Sequence, residues 1–145
     1  MASSIFTKQQ QEQVVKAIRK AENNTSAEIR VHIENHCKDD VLDRAVEVFR
    51  MLKMDRTDGR NGVLIYLAVK DRKDAIIGDV NVNKFVGHDF WMDCSKLMAD
   101  SFREGRFTEG ICEVISKLEV ELKSHFPYQA EDKNELPDDI SFGNN

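Results

Sequence analysis

A chain of 145 residues and 16.7 kDa has the length of one ordinary domain. With 41% apolar and 32% charged residues it can bury a core and stay dissolved, which excludes disorder throughout. Its net charge of −5 comes without any basic stripe, so nucleic acid is not an expected partner.

No apolar run approaches the roughly 18 residues that span a bilayer. Ile5-Phe6 gives way to Thr7-Lys8-Gln9-Gln10 before a signal-peptide hydrophobic region can form. The expectation is therefore a cytoplasmic protein with no membrane partner. Three cysteines, Cys37, Cys94 and Cys112, are an odd number in a chain large enough to fold without staples. They read as free thiols in a reducing compartment.

Thr7 with Gln10 forms a capping-box pattern. Val14, Val15, Ile18 and Ala21 follow at helical spacing and Asn23-Asn24 supplies a stop, so residues 7–23 are predicted as a helix. Residues 27–34 alternate apolar and polar at every step, the period-2 mark of a strand with one buried and one wet face. Such a strand belongs near a sheet edge or is covered on one side only. A second helix is expected over 39–52, with Leu42, Ala45, Val46, Phe49 and Leu52 inward and Asp39 and Asp40 at its positive end.

After a polar loop, the uninterrupted apolar run Val63 to Val69 reads as a strand buried on both faces. Ala75-Ile76-Ile77 resumes after only five polar residues, the spacing of a hairpin. Two further helices are predicted. One is capped by Asp89 and buries Phe90, Cys94, Leu97, Met98 and Phe102; the other is capped by Thr108 and buries Ile111, Ile115, Leu118 and Leu122. Residues 5–126 form the expected domain. Residues 127–145 form an acidic, extended tail in which Ile140 and Phe142 are suited to dock. The order helix, strand, helix, strand, strand, helix, helix predicts an α/β fold, a three-layer α/β/α sandwich around a small mixed sheet.

Asp55, Asp58 and Asn61 occupy a glycine-containing loop just before the buried strand. Ca²⁺ and Mg²⁺ want oxygen ligands of this kind, although Asp and Asn also favour turns for their own sake. The spacing is not that of an EF-hand: with Gly59 as the sixth loop residue, the twelfth would be Ile65. Asp79 adds a carboxylate at the end of the hairpin's second strand. A hairpin centred on Arg72-Lys73 would set Asp79 opposite Tyr66, roughly 15 Å along the strand from Asn61, so the loop would have to fold back over the sheet. Asp89 and Asp93 start the next helix near the same end. The alternative reading is that Asp79 merely ends a strand and Asp89 merely caps.

Other signals are weaker. His32, His36 and Cys37 lie on or just after a strand, where residues four apart are about 13 Å distant, and do not make a zinc site. No catalytic-serine, C-x-x-C, H-E-x-x-H or phosphate-loop pattern occurs. Cys94 and Cys112 fall in apolar helical stripes as inert core residues. Asp71-Arg72 at the hairpin tip is either a phosphate-binding pair or a charged turn. Trp91 beside Phe90 reads as packing or as an aromatic platform.

Several stretches together resemble the TPM domain family, which includes a thylakoid-lumen acid phosphatase and a photosystem II repair protein. They are Ala27-Glu28-Ile29-Arg30-Val31, Arg60-Asn61-Gly62-Val63-Leu64-Ile65-Tyr66-Leu67-Ala68, Asp71-Arg72, Ile77-Gly78-Asp79, Phe102-x-x-Gly105 with Phe107-x-x-Gly110, and Asn134-Glu135-Leu136-Pro137. The resemblance implies an α/β/α sandwich, an acidic cleft for divalent cations and phosphatase activity. Carried onto this chain, its cleft residues are Asp55, Asp58, Asp71, Asp79 and Asp89. Gly78-Asp79-Val80-Asn81-Val82-Asn83 departs from the glycine-rich segment usual after the hairpin.

Two functions follow as expectations. One is a Ca²⁺- or Mg²⁺-binding module, with Asp55, Asp58, Asn61, Asp79 and Asp89 as ligands and no nucleophile of its own. The other is a metal-assisted phosphomonoesterase in which the cation polarises phosphate and Arg72 holds it. A protein-interaction module using the helical faces or the tail is a third.

Overall fold

The computed structural model describes residues 5–128 and 137–143. Tail residues 129–136, including Glu131, Asp132 and the first part of the Asn134–Pro137 motif, lie outside the described residues, as do Met1–Ser4. Helix α1 (Lys8–Glu22) starts where local chemistry dictates. Thr7 accepts from the Gln10 backbone N–H and the Gln10 side chain accepts from the Thr7 N–H, so two orphan donors are satisfied at once. Strand β1 (Glu28–Glu34) follows, then α2 (Val41–Met51), whose N-cap Asp40 accepts from the N–H groups of Leu42 and Asp43. A single 3₁₀ turn (Met54–Arg56) leads to β2 (Gly62–Ala68), and β3 (Lys73–Gly78) returns beside it. The short α3 (Val80–Asn83), α4 (His88–Arg103) and α5 (Phe107–His125) come next. Ser141–Phe142 adds a two-residue strand, β4.

The sheet order is β3-β2-β1-β4, with β1 parallel to β2 and β4 and β3 antiparallel to β2. Side chains alternate between its faces. Ile29, Val31, Ile33, Val63, Ile65 and Leu67 face a core shared with α1, α4 and α5. Leu64, Tyr66, Ala68 and Ala75 face a smaller core with Ala45, Val48 and Phe49 of α2. These are the two outer layers of the expected sandwich.

Several local expectations are corrected. Strand β1 is an interior strand, not an edge strand, and its supposed wet face is buried at Glu28, His32 and Glu34. The tail supplies the neighbour that covers it: Ile140 is buried, and Gly143 N–H donates to the Ile33 carbonyl at 2.8 Å. Leu42 and Val46 point outward, because α2 crosses the sheet on the face carrying Ala45, Val48 and Phe49. The cap of α4 is Gly87, with Asp89 in the first turn, and that of α5 is Arg106, with Thr108 already helical and buried. The hairpin turns two residues earlier than its polar segment suggests. Ala68 pairs with Lys73 and Val63 with Gly78.

Candidate functional site

That register decides where the acidic residues meet. Asp79 is not opposite Tyr66. It leaves β3 beside the start of β2, its N–H donating to the Gly62 carbonyl at 2.9 Å. The 55–61 loop therefore reaches Asp79 without folding over the sheet. Asn81 strengthens the junction, its N–H donating to the Arg60 carbonyl at 3.1 Å and its amide to the Gly59 carbonyl at 2.6 Å.

A cleft of about 500 Å³ opens here along the edge strand β3. Val46, Phe49 and Arg50 of α2 form one wall, Val80 and Asn83 of α3 and Trp91 of α4 the other, and Asp55, Arg60 and Asp79 the charged end. Asp79 is buried and accepts a forked pair of bonds from Arg60, Nε at 2.8 Å and Nη2 at 2.9 Å, besides the Val80 N–H at 2.7 Å. The Asp79 bonds first, and the field of Asp79 and Asp55 after them, hold the Arg60 guanidinium above its ordinary pKa. Asp55 presents a buried carboxylate oxygen, Oδ1, with no hydrogen-bond partner among the described residues.

The other predicted residues do not join this pair. Asn61 is buried and donates to the Ser26 carbonyl at 3.2 Å, tying the loop to the approach to β1. Asp58 and Asp89 are exposed and do not line the cleft. Asp71 and Arg72 lie past the far end of β2, about 20 Å along a seven-residue strand. There Asp71 accepts from His36 Nδ1 at 2.9 Å and from the Cys37 N–H at 2.7 Å, and these bonds hold its carboxyl below the usual range. It clips the hairpin to the segment after β1. No group of three or more His, Cys, Asp or Glu side chains positioned for a metal ion occurs among the described residues.

The profile of the TPM domain matches residues 2–121. The chain belongs to the TPM domain family. Among solved structures, the BA42 protein from the psychrophilic bacterium Bizionia argentinensis, determined by NMR, is similar at 44% identity with a TM-score of 0.89, covering 95% of each chain. No curated protein matches. Every cleft residue of this TPM domain falls inside the matched stretch, whereas β4 falls beyond it.

Reading for acidic residues alone overlooked the cations of the TPM cleft, Arg50 and Arg60, whereas Trp91, read as packing or an aromatic platform, does line it. Arg60 carried a usable signal, because a residue just before one hairpin strand must lie near the residue that leaves the other. A second charged cluster also escaped notice. Glu34, fully buried, accepts from Arg44 (Nε at 3.0 Å, and Nη2), from the Tyr66 hydroxyl and from His32 Nε2 at 3.1 Å. Burial pushes its carboxyl up, but those donors outweigh the effect and hold it at about 2. Burial first, with Glu34 partly opposing it, lowers the His32 pKa, which keeps the imidazole neutral at pH 7. His32 Nδ1 lies 2.9 Å from the Ser141 hydroxyl. This cluster joins β1, β2, α2 and β4 as a structural lock.

No helix among the described residues is long and apolar enough to cross a membrane. All three cysteines are free. Burial raises the Cys94 thiol to about 11 and also raises Cys112, which makes both poor nucleophiles.

Proposed function

We propose that this TPM domain binds a divalent cation, Ca²⁺ or Mg²⁺, at the charged end of the β3 cleft, with Asp55 and Asp79 as its carboxylate ligands. The observation that carries this reading is the buried, unpartnered Oδ1 of Asp55, a residue that lines the same cleft as Asp79. A buried carboxylate oxygen without a donor costs about 1–3 kcal/mol or more, and a cation removes that cost. Two carboxylates are fewer oxygens than Ca²⁺ usually gathers, but they suit a Mg²⁺ ion that keeps several waters. Arg60 occupies both Asp79 oxygens and must move for a cation to enter. Its side chain is 45% exposed whereas that of Asp79 is 5% exposed, so the guanidinium has solvent to swing into once a cation takes over the buried Asp79 charge.

Titration of metal-stripped protein with CaCl₂ and MgCl₂, followed by amide chemical shifts, tests the site. Residues 54–62 and 78–83 are expected to shift below ~5 mM metal, near the weak end of extracellular Ca²⁺ modules. Asp55→Asn and Asp79→Asn should each abolish the response. A wild-type spectrum that stays unchanged refutes the proposal.

A second reading, a metal-assisted phosphomonoesterase, rests on Arg50 and Arg60 in the same cleft, where guanidinium groups suit a phosphate dianion. Hydrolysis of p-nitrophenyl phosphate that disappears with chelator and with Asp55→Asn would support it. Hydrolysis unaffected by either would eliminate it.

A further inference from the structure

A smaller concavity of about 210 Å³ lies between the hairpin tip and the turn joining α4 to α5, and it shares no lining residue with the cation cleft. It exceeds the ~150 Å³ of an apolar cavity that accepts benzene. Its walls are Leu67, Val69, Ala99, Phe102 and Phe107. Asp74 stands opposite Leu67 in the β2–β3 register, so its side chain emerges on the same sheet face, into the slot.

Asp74 is half-buried and has no hydrogen-bond or ion-pair partner among the described residues. Burial alone pushes its carboxyl upward. A carboxylate beside apolar walls gains from a cationic partner, and the neighbouring cations do not supply one. Lys73 sends Nζ to the Cys37 carbonyl at 2.9 Å, toward α2. Arg103 is exposed and makes only a loose 3.8 Å pair with Asp100. Arg72 sits at the tip in a left-handed conformation, φ 53°, and has no ion pair among the described residues.

The slot thus offers an apolar interior, one half-buried carboxylate and two guanidinium groups. A simple anion would be repelled by Asp74, and a simple amine by Arg72 and Arg103. A molecule bearing both charges on adjacent groups meets all three. We propose that the slot binds a free α-amino acid with an apolar side chain, its ammonium on Asp74, its carboxylate at Arg72 and Arg103, and its side chain against Phe102 and Phe107.

The test is an NMR titration of full-length, chelator-treated protein with L-leucine and L-phenylalanine, and with N-acetyl-L-leucine and L-leucinamide as comparators. Leucine and phenylalanine are expected to shift the amides of Leu67, Val69, Asp74 and Phe102 with millimolar affinity. Blocking either end of leucine should weaken binding at least about tenfold. Asp74→Asn should lose the response to leucine while its remaining spectrum overlays the wild type, and Arg72→Gln should weaken it. No shift with either amino acid overturns the proposal. So does equal binding of N-acetyl-L-leucine, which would mark an apolar hole without ammonium recognition. Because chelator is present throughout, these outcomes do not depend on the cation site.

Discussion

Glu34→Gln isolates the negative charge at the centre of the buried lock while keeping the side chain's size. The wild-type carboxylate is 1% exposed and ionises at about 2 instead of 4.5. Each tenfold change in proton affinity corresponds to about 1.4 kcal/mol, so the native contacts favour the ionised form by about 3 kcal/mol. The folded-state pKa lies below the unfolded one. The stabilisation is therefore complete above about pH 4.5 and is lost as the pH falls toward 2. At pH 7 the variant should unfold with about 3 kcal/mol less free energy, which for this chain length corresponds to roughly 10 °C in Tm. Near pH 2 the two proteins should converge. Urea unfolding followed by Trp91 fluorescence at pH 7, 5, 4 and 3 measures the gap directly. A difference below about 0.5 kcal/mol at pH 7, within the usual effect of a surface substitution, refutes the reasoning. So does a gap that is the same at pH 7 and pH 3, which would mean that the charge itself contributes nothing.

Two further predictions concern the cleft and the tail. Arg60→Gln removes the guanidinium that occupies both oxygens of the buried Asp79 and should tighten Ca²⁺ or Mg²⁺ binding severalfold by calorimetry, because the cation no longer competes for that carboxylate. Weaker binding would show instead that Arg60 positions Asp79. Gly143→Ala places a Cβ 2.6 Å from Glu34 Oε1, and Glu34 is too firmly held to yield. The β4 segment should give way, with faster hydrogen exchange at the Gly143 N–H and a loss of about 1–3 kcal/mol. Unchanged exchange there would argue against this docking.

What could be read from the sequence was whatever short-range chemistry specifies. The Thr7–Gln10 box lies within one helical turn, and the Val63–Val69 run is apolar on both faces whatever packs against it. The alternation Glu28, Arg30, His32, Glu34 has no such unique meaning. It describes a wet face equally well as a buried polar one, and the choice belongs to Arg44 on α2 and Ser141 in the tail, 10 and 109 residues from their β1 partners. The hairpin register failed for the same reason. Residues 70–74 contain no glycine or asparagine to mark the turn, and its position is set from outside. The Asn35 carbonyl accepts from the N–H groups of Lys70 and Asp71, and the Asp71 carboxylate grips the Cys37 N–H. Moving the turn by two residues carries Asp79 four positions along β2, from Tyr66 to Gly62. That shift brings Asp79 and Asp55 to one cleft, while Asp58 and Asp89 stay on exposed flanks.

The sheet order also separates structural charge from charge available to ligands. Its two edges are β3 and β4. The β4 edge adjoins β1, where Arg44, Tyr66 and His32 satisfy Glu34 from within. The β3 edge lies between two diverging helical layers, α2 on one face and α4 on the other, and both concavities open along it, one at Gly78–Asp79 and one at Lys73–Asp74. An edge strand with a wall on each side gives side chains of either face a shared exit, which an interior strand cannot do. Asp55 and Asp74, on which the two ligand proposals rest, each line one of these two concavities. The buried carboxylate of Glu34, on the interior strand, is fully paired. The two ligand proposals thus share a topological origin: both concavities lie along the edge strand β3, where the fold leaves space beside the sheet.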